Sequence, residues 1–258
     1  MKKATVFTLA ALLLLSLTAC GVKTKETYLT TSFTQEIMNG ATYKTEYVYD
    51  KEWRTSEMIS YQDGEKSSRQ SYEYTENGMI ITMTGGGENA TMEVVNTKDE
   101  NGNIVKSVQY MDGELYTTNE ITYHENGSRQ TLTVTQASTG QTIQYEYDEK
   151  GNLSAWNSNN AGDISGSRTD TEYDENGNIL TVINYNLDGT LSSRSEYTRG
   201  EDGTETILSY DSDETLTGKQ IITYDDAGNK TCSESYDQSG ELLIRLTYTY
   251  VKADIPVE

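Results

Sequence analysis

The chain has 258 residues and carries 20 Lys+Arg against 41 Asp+Glu, a formal net charge of −21. Such an acid excess excludes a generic nucleic-acid binder, because phosphate affinity comes from cationic side chains that release counterions. Hydrophobic residues make up only 34%, with their densest run in the first 20 positions, while 20 Tyr stand against 2 Phe, so the chain favours aromatics with one wet end and lacks the material for a thick core.

In chain order, the first element is a leader. Lys2 and Lys3 precede an apolar run from Ala4 to Leu17, too short for a transmembrane span and typical of a secretory signal. It ends Leu17-Thr18-Ala19-Cys20-Gly21, which resembles a bacterial lipobox. The resemblance implies cleavage behind Ala19, a lipidated Cys20 as the first mature residue, and a lipid anchor to the cell membrane or an outer surface. On that reading 1–19 is a signal peptide and 20–30 the lipidated Cys with a short tether. So acidic a body is repelled by anionic headgroups, and the expectation is a domain held near the bilayer by acyl chains without lying on it. Cys232 is then left without an intramolecular partner, and a disulfide framework is excluded.

From 31 to 252 one unit is copied along the chain, with 253–258 as a tail. Residues 28–49, with Asn39-Gly40 in the middle, read as a capping hairpin. Tyr49, Tyr74, Tyr123, Tyr147, Tyr173, Tyr197, Tyr224 and Tyr250 then follow at gaps of 25, 49, 24, 26, 24, 27 and 26, the longest gap holding two units with Lys98 at the Tyr place. A second Tyr comes 12 or 13 residues after the first, as in Tyr61, Tyr185, Tyr210 and Tyr236, so each half-unit is one strand and one turn. Ile179, Thr181, Ile183 and Tyr185 alternate with Leu180, Val182 and Asn184, a period of two, and the same parity in Val108 and Tyr110, Ile143, Tyr145 and Tyr147, and Ile244, Leu246, Tyr248 and Tyr250 predicts one apolar, aromatic face. By the same parity Cys232, in step with Tyr236, is expected on the inner face. Turns such as Asp174-Glu175-Asn176-Gly177 suit a type I turn closed by a left-handed Gly. The expected fold is all-β: a long antiparallel meander of about 25-residue hairpins, roughly sixteen strands or more, curled into an open or shell-like sheet because open sheets rarely exceed ~10 strands without curling.

Tyr145-Glu146-Tyr147-Asp148-Glu149-Lys150-Gly151-Asn152-Leu153 is similar to the repeat of the RHS/YD-repeat family, and the stretches around Tyr173 and Tyr224 match nearly as well. The resemblance covers most of 45–250. It implies strand pairs coiling into a shell, in exported surface proteins that act in carbohydrate binding, contact or toxin delivery. With a single Pro, Pro256, the chain has no place for the Pro-rich self-cleaving segment of the large toxin shells.

Candidate sites are few. The amide-rich stretch Trp156-Asn157-Ser158-Asn159-Asn160 breaks the Tyr pattern and reads as a loop beside an indole; Trp156, Asn157, Asn159 and Asn160, with Trp53, are the candidate ligand-binding residues because indoles stack on sugar rings. Asp148, Asp174 and Asp225, which open the repeated turns, are candidates for a weak calcium site. Their Gly stands fourth, where an EF-hand loop needs it sixth, so turn nucleation is the reading preferred and no cofactor is expected. His124, the single histidine, takes the Asp place of its turn with no nucleophile in sequence beside it. The expectation is a lipid-anchored extracytoplasmic protein that binds or scaffolds and does not catalyse, its partners the membrane through the anchor and a polysaccharide or surface protein. The alternatives are a carbohydrate-active hydrolase using two of the many carboxylates, and a calcium-stiffened surface spacer.

Overall fold

A computed structural model describes residues 27–253, apart from 39, 161 and 162. Eighteen strands follow one another: β1 (Thr27–Ile37), β2 (Thr42–Tyr49), β3 (Thr55–Gln62), β4 (Glu65–Thr75), β5 (Gly78–Gly85), β6 (Glu88–Lys98), β7 (Ile104–Met111), β8 (Glu114–Tyr123), β9 (Arg129–Gln136), β10 (Thr142–Tyr147), β11 (Leu153–Asn160), β12 (Asp163–Tyr173), β13 (Ile179–Asn186), β14 (Leu191–Arg199), β15 (Glu205–Tyr210), β16 (Leu216–Tyr224), β17 (Lys230–Asp237) and β18 (Leu242–Ala253). Each pairs antiparallel with its sequence neighbours, as hairpin turns of two to five residues dictate.

The meander is as expected; its end is not. β1 pairs with β2 on one side and with β18 on the other, Thr27 opposite Ala253 and Ile37 opposite Ile244. The sheet is therefore a closed barrel, and the open or shell-like sheet expected from the sequence is corrected. Closure gives every strand two partners and removes both free edges, which an open 18-strand sheet would leave as templates for aggregation. Followed round the ring, the ladder registers stagger by about 20 residues, which for 18 strands sets a tilt of about 40°. At ~4.8 Å between strands the backbone radius is then about 18 Å.

Registers also settle which face is inside. Ile81, Met83, Met92, Val94, Ser107, Gln109, Asn119, Ile121, Leu132, Ser158, Ile222 and Ser233 are buried, and all lie on one continuous face when followed across the ladders. That face lines the barrel. The largest apolar cluster, Ile81, Met83, Met92 and Val94, packs against Tyr72, Met79, Ala90 and Met111 of the same wall, and among the described residues no two strands approach each other except ladder partners. The interior is a lumen between walls, not a sandwich core.

Here a second expectation changes. The two tyrosines of a unit do not share a face. Tyr47, Tyr72, Tyr145 and Tyr248 lie on the lumen face with Ile81 and Ser233, whereas Tyr61, Tyr110, Tyr185, Tyr210 and Tyr236 lie outside. Ile183 accordingly sits between Asp170 and Arg194 on the outer wall. The reason is the extra residue that the turns and bulges insert between half-units, which inverts parity on the way from one Tyr to the next. Cys232, opposite Thr223 and Thr247, is likewise on the outer wall and not the inner face.

Candidate functional site

The lumen wall is held at one rim by tyrosine latches. Tyr49, Tyr74, Tyr123 and Tyr250 end β2, β4, β8 and β18 or stand close to the end, and each donates its hydroxyl to a carbonyl at the start of the strand before: Thr30, Thr55, Ile104 and Lys230, at 2.6, 2.9, 2.8 and 2.7 Å. Tyr173 reaches further back and donates to Asp148 Oδ2 at 2.7 Å. Burial keeps phenols of this wall neutral: it pushes the latch Tyr49 up to about 12, Tyr72, which donates to Gln70 on its own strand, likewise, and Tyr173 also to about 12 with the Asp148 carboxylate adding to it.

The turns of that rim are built by Asp and Asn. Asp174 Oδ1 accepts the backbone N–H of Asn176 and Asn178 at 2.9 and 2.7 Å while its Oδ2 accepts the Asn178 amide at 2.8 Å. Asp225 does the same toward Ala227 and Asn229. The Asn178 and Asn229 amides, followed by backbone N–H groups, hold both carboxyls below their ordinary value. At Asp148 partial burial works against ionisation, and the hydrogen bonds from Tyr173 and Asn152 prevail. Asp148, Asp174 and Asp225 thus stand on three separate turns with their oxygens engaged by their own turns. Among the described residues no three His, Cys, Asp or Glu side chains are placed to hold a metal ion. His124 uses its ring for the same stitching, Nε2 lying 2.9 Å from the Tyr147 carbonyl two strands away.

The amide-rich stretch is not a loop. Residues 153–160 form β11, so its side chains alternate: Trp156 faces the lumen, with Tyr145 of β10 on one side and Ser167 of β12 on the other, while Asn157 and Asn159 face outward. The side chain of Asn160 and the whole of Cys20 lie outside the described residues. Gly166 permits this contact of β11 and β12, since a Cβ there would stand 2.4 Å from the Trp156 carbonyl oxygen. Trp53 is elsewhere, at the fourth place of the β2–β3 turn. The candidates thus divide into a lumen residue, a pair on the outer wall and a rim residue.

What the sequence did not disclose is the field around Trp156. Next to it runs a ladder of neutral polar groups: Thr169 Oγ1 donates to Asn184 Oδ1 at 2.8 Å, and Asn184 Nδ2 to Ser193 Oγ at 3.0 Å. Gln220 Nε2 donates to Ser233 Oγ at 2.9 Å further round. Away from the strand ends the lumen face carries no charged side chain among the described residues; Ser, Thr, Asn and Gln predominate on β11 to β17, interspersed with Val182, Ile207 and Ile222, and Met, Ile and Val predominate on β5 and β6. The signal for this was the run of alternate Ser and Thr in 165–171 and 193–195, legible only once the concave face is known.

Charge is on the outside. Arg69 pairs with Glu57, Arg194 with Glu196, Arg245 with Glu234 at 2.7 Å, and Lys44 with Glu46 at 2.6 Å, all at mid-strand. The outer tyrosines join them: Tyr61 donates to Glu46 at 2.9 Å, and Arg194 and Arg168 lie 4.5 Å over the rings of Tyr210 and Tyr185. The hydrogen bonds from Lys44, Arg69 and Arg194 hold Glu46, Glu57 and Glu196 below the ordinary carboxylate range. A lipid-facing barrel wall needs an apolar band about 25 Å tall, with each Arg or Lys at its middle costing about 2–4 kcal/mol. This wall is built to face water.

No protein-family model matches the chain, and no curated protein matches it. Among solved structures it is similar to a porin-like protein from Bacteroides uniformis, at 12% identity and TM-score 0.45 over 86% of this chain and 98% of that one. A porin-like protein from Bacteroides vulgatus gives 14% identity and TM-score 0.45 over the same shares. A TcdB2-TccC3 structure is similar at 13% identity and TM-score 0.28, over 81% of this chain and 16% of that one. The resemblance to the RHS/YD-repeat family is corrected: no family model supports it, and the ring closes through β1 and β18 where the repeat shell would stay open. The chain is an 18-stranded antiparallel β-barrel.

Proposed function

We propose that the barrel is an extracytoplasmic, lipid-anchored binding module whose lumen takes a neutral carbohydrate, and that it does not catalyse. The observation that carries this is the lumen face around Trp156: an indole flanked by Tyr145 and Ser167, beside a ladder of hydroxyl and amide groups, in a wall free of charge between its rims. Sugars are bound by that combination, ring faces on aromatics and hydroxyls on neutral donors and acceptors. A hydrolase would need a carboxylate pair at about 5–10 Å facing the substrate, and among the described residues the carboxylates stand on the outer wall and at the strand ends. The lipobox-like leader supports the anchor and the address.

The test is a glycan array probed with the exported protein, followed by titration of the best neutral glycan against Trp156→Ala. At least tenfold weaker binding by the variant, with unchanged melting temperature, is the expected result. Equal binding by both would remove the lumen site.

A further inference from the structure

We propose that the 50–54 turn is where the barrel touches the bilayer carrying its anchor, with Trp53 set at the headgroup boundary. Seven turns of one rim share a hydrogen-bond pattern, in which the fourth residue donates to the carbonyl of the first: Trp53 to Asp50 at 3.0 Å, and likewise Gly102, Gly127, Gly151, Gly177, Gly203 and Gly228. The six glycines have φ between 79° and 87°, the left-handed region that suits a residue without Cβ, and Trp53 has φ 60°. A bulky residue in that conformation is strained, and such strain persists where the side chain has a use. At all six sister glycines a Cβ would meet nothing within 4 Å, so a side chain at this place leaves the backbone unobstructed, and that of Trp53 ends half-buried at the rim.

Two further observations say what covers it. Each sister turn is net acidic, as in Asp174-Glu175-Asn176-Gly177-Asn178, whereas Asp50-Lys51-Glu52-Trp53-Arg54 is neutral. Arg54 is occupied by Asp50 at 2.8 Å and by the Tyr74 ring at 4.3 Å, whereas Lys51, 3.5 Å from Glu52, keeps its side chain 89% exposed. This is the turn of that rim that a phosphate-bearing surface would not repel. It is also the turn beside the chain's entry into the barrel: β1 begins at the same rim, and Tyr49, four residues before Trp53, is bonded to Thr30. Cys20 precedes Thr27 by seven residues, which span at most about 25 Å. A bilayer holding an acylated Cys20 is therefore within reach of this rim, and Trp favours the boundary between headgroups and acyl chains. The inference rests on the lipid anchor proposed above.

The experiment uses the full lipidated chain in phosphatidylcholine vesicles whose acyl chains carry bromine, a contact quencher of indole emission. Trp156→Phe leaves Trp53 as the reporter, and Trp53→Gly leaves Trp156. Trp53 is expected to lose most of its emission while Trp156 keeps its own, and Trp53→Gly should melt about 3 °C higher because the strain is relieved. Protein that floats with the vesicles while Trp53 stays bright overturns this contact and leaves the anchor standing. Protein that does not float overturns both. A Trp53 emission that responds to a soluble glucan and not to brominated lipid makes the turn a glycan contact instead, and a lower-melting Trp53→Gly shows that packing alone holds the indole; either result overturns the proposal.

Discussion

A tyrosine in this chain serves one of two purposes, and the difference is which wall it stands on. Inside, the ring is desolvated and its hydroxyl must find a partner, because a buried hydroxyl left unpaired costs about 1–3 kcal/mol. Tyr123 meets that need with the Ile104 carbonyl at 2.8 Å, tying the end of β8 to the start of β7. Tyr123→Phe keeps the ring and removes the bond, leaving the carbonyl to water at the rim, so the expected loss is about 1 kcal/mol in denaturant melts. A loss near zero would mean that the latch is decoration. Outside, the same residue type lies under a cation and donates to a carboxylate, as Tyr210 does beneath Arg194 and toward Glu196. Nothing in the residue itself distinguishes the two. The 12-to-13-residue step between them does, once bulges are counted, and counting them needs the ladder registers.

At the scale of the hairpin, local chemistry dominates. Asp at the first place, Asn at the fifth and Gly at the fourth give the backbone its own closure, with Asp174 Oδ1 capping two N–H groups and Gly177 in the left-handed region at φ 83°. That is why the turns were legible in the sequence. Asp174→Ala is expected to lower the melting temperature and Asp174→Asn to recover most of it, since Asn still offers an oxygen to both N–H groups; scanning calorimetry of the pair decides between hydrogen bonding and charge. The stretch 153–160 shows where local reading runs out. Asn and Ser favour turns, yet here they stand in β11, paired on both sides by β10 and β12, because a strand in a closed ring gains two ladders whatever its propensity. A loop with four converging site residues becomes a strand with Trp156 on one face and Asn157 and Asn159 on the other.

Over the whole molecule the ring distributes its chemistry in three zones: ion pairs and tyrosines outside, acid-rich turns at the rims, neutral polar and apolar groups within. Alkali should open it. Tyr49, Tyr72 and Tyr173 are held neutral to about pH 12, whereas in the unfolded chain they ionise near the ordinary value of 10. Their contribution to stability is intact below pH 10 and is lost as pH rises toward 12. Tyrosinate absorbance and circular dichroism followed together should therefore change in one cooperative step within that window, and a full tyrosine titration with the fold intact would contradict the assignment.

By itself the sequence determined an antiparallel meander of hairpins and most of its strands and turns, 153–160 being the stretch it misplaced, because a period of two and Asp, Asn and Gly at fixed offsets act within a dozen residues. It also determined that charge would dominate and that no thick core would form. Closure was decided only by the tertiary structure: it joins Thr31 to Thr249, 218 positions apart, and follows from the stagger accumulated over all the ladders, to which each hairpin adds a small amount that no single repeat reveals. The inside of the barrel was decided with it. Alternation divides a strand into two faces but does not say which is concave, and in this chain both faces carry Tyr and Ile, so the lumen around Trp156 exists only once the ring is shut.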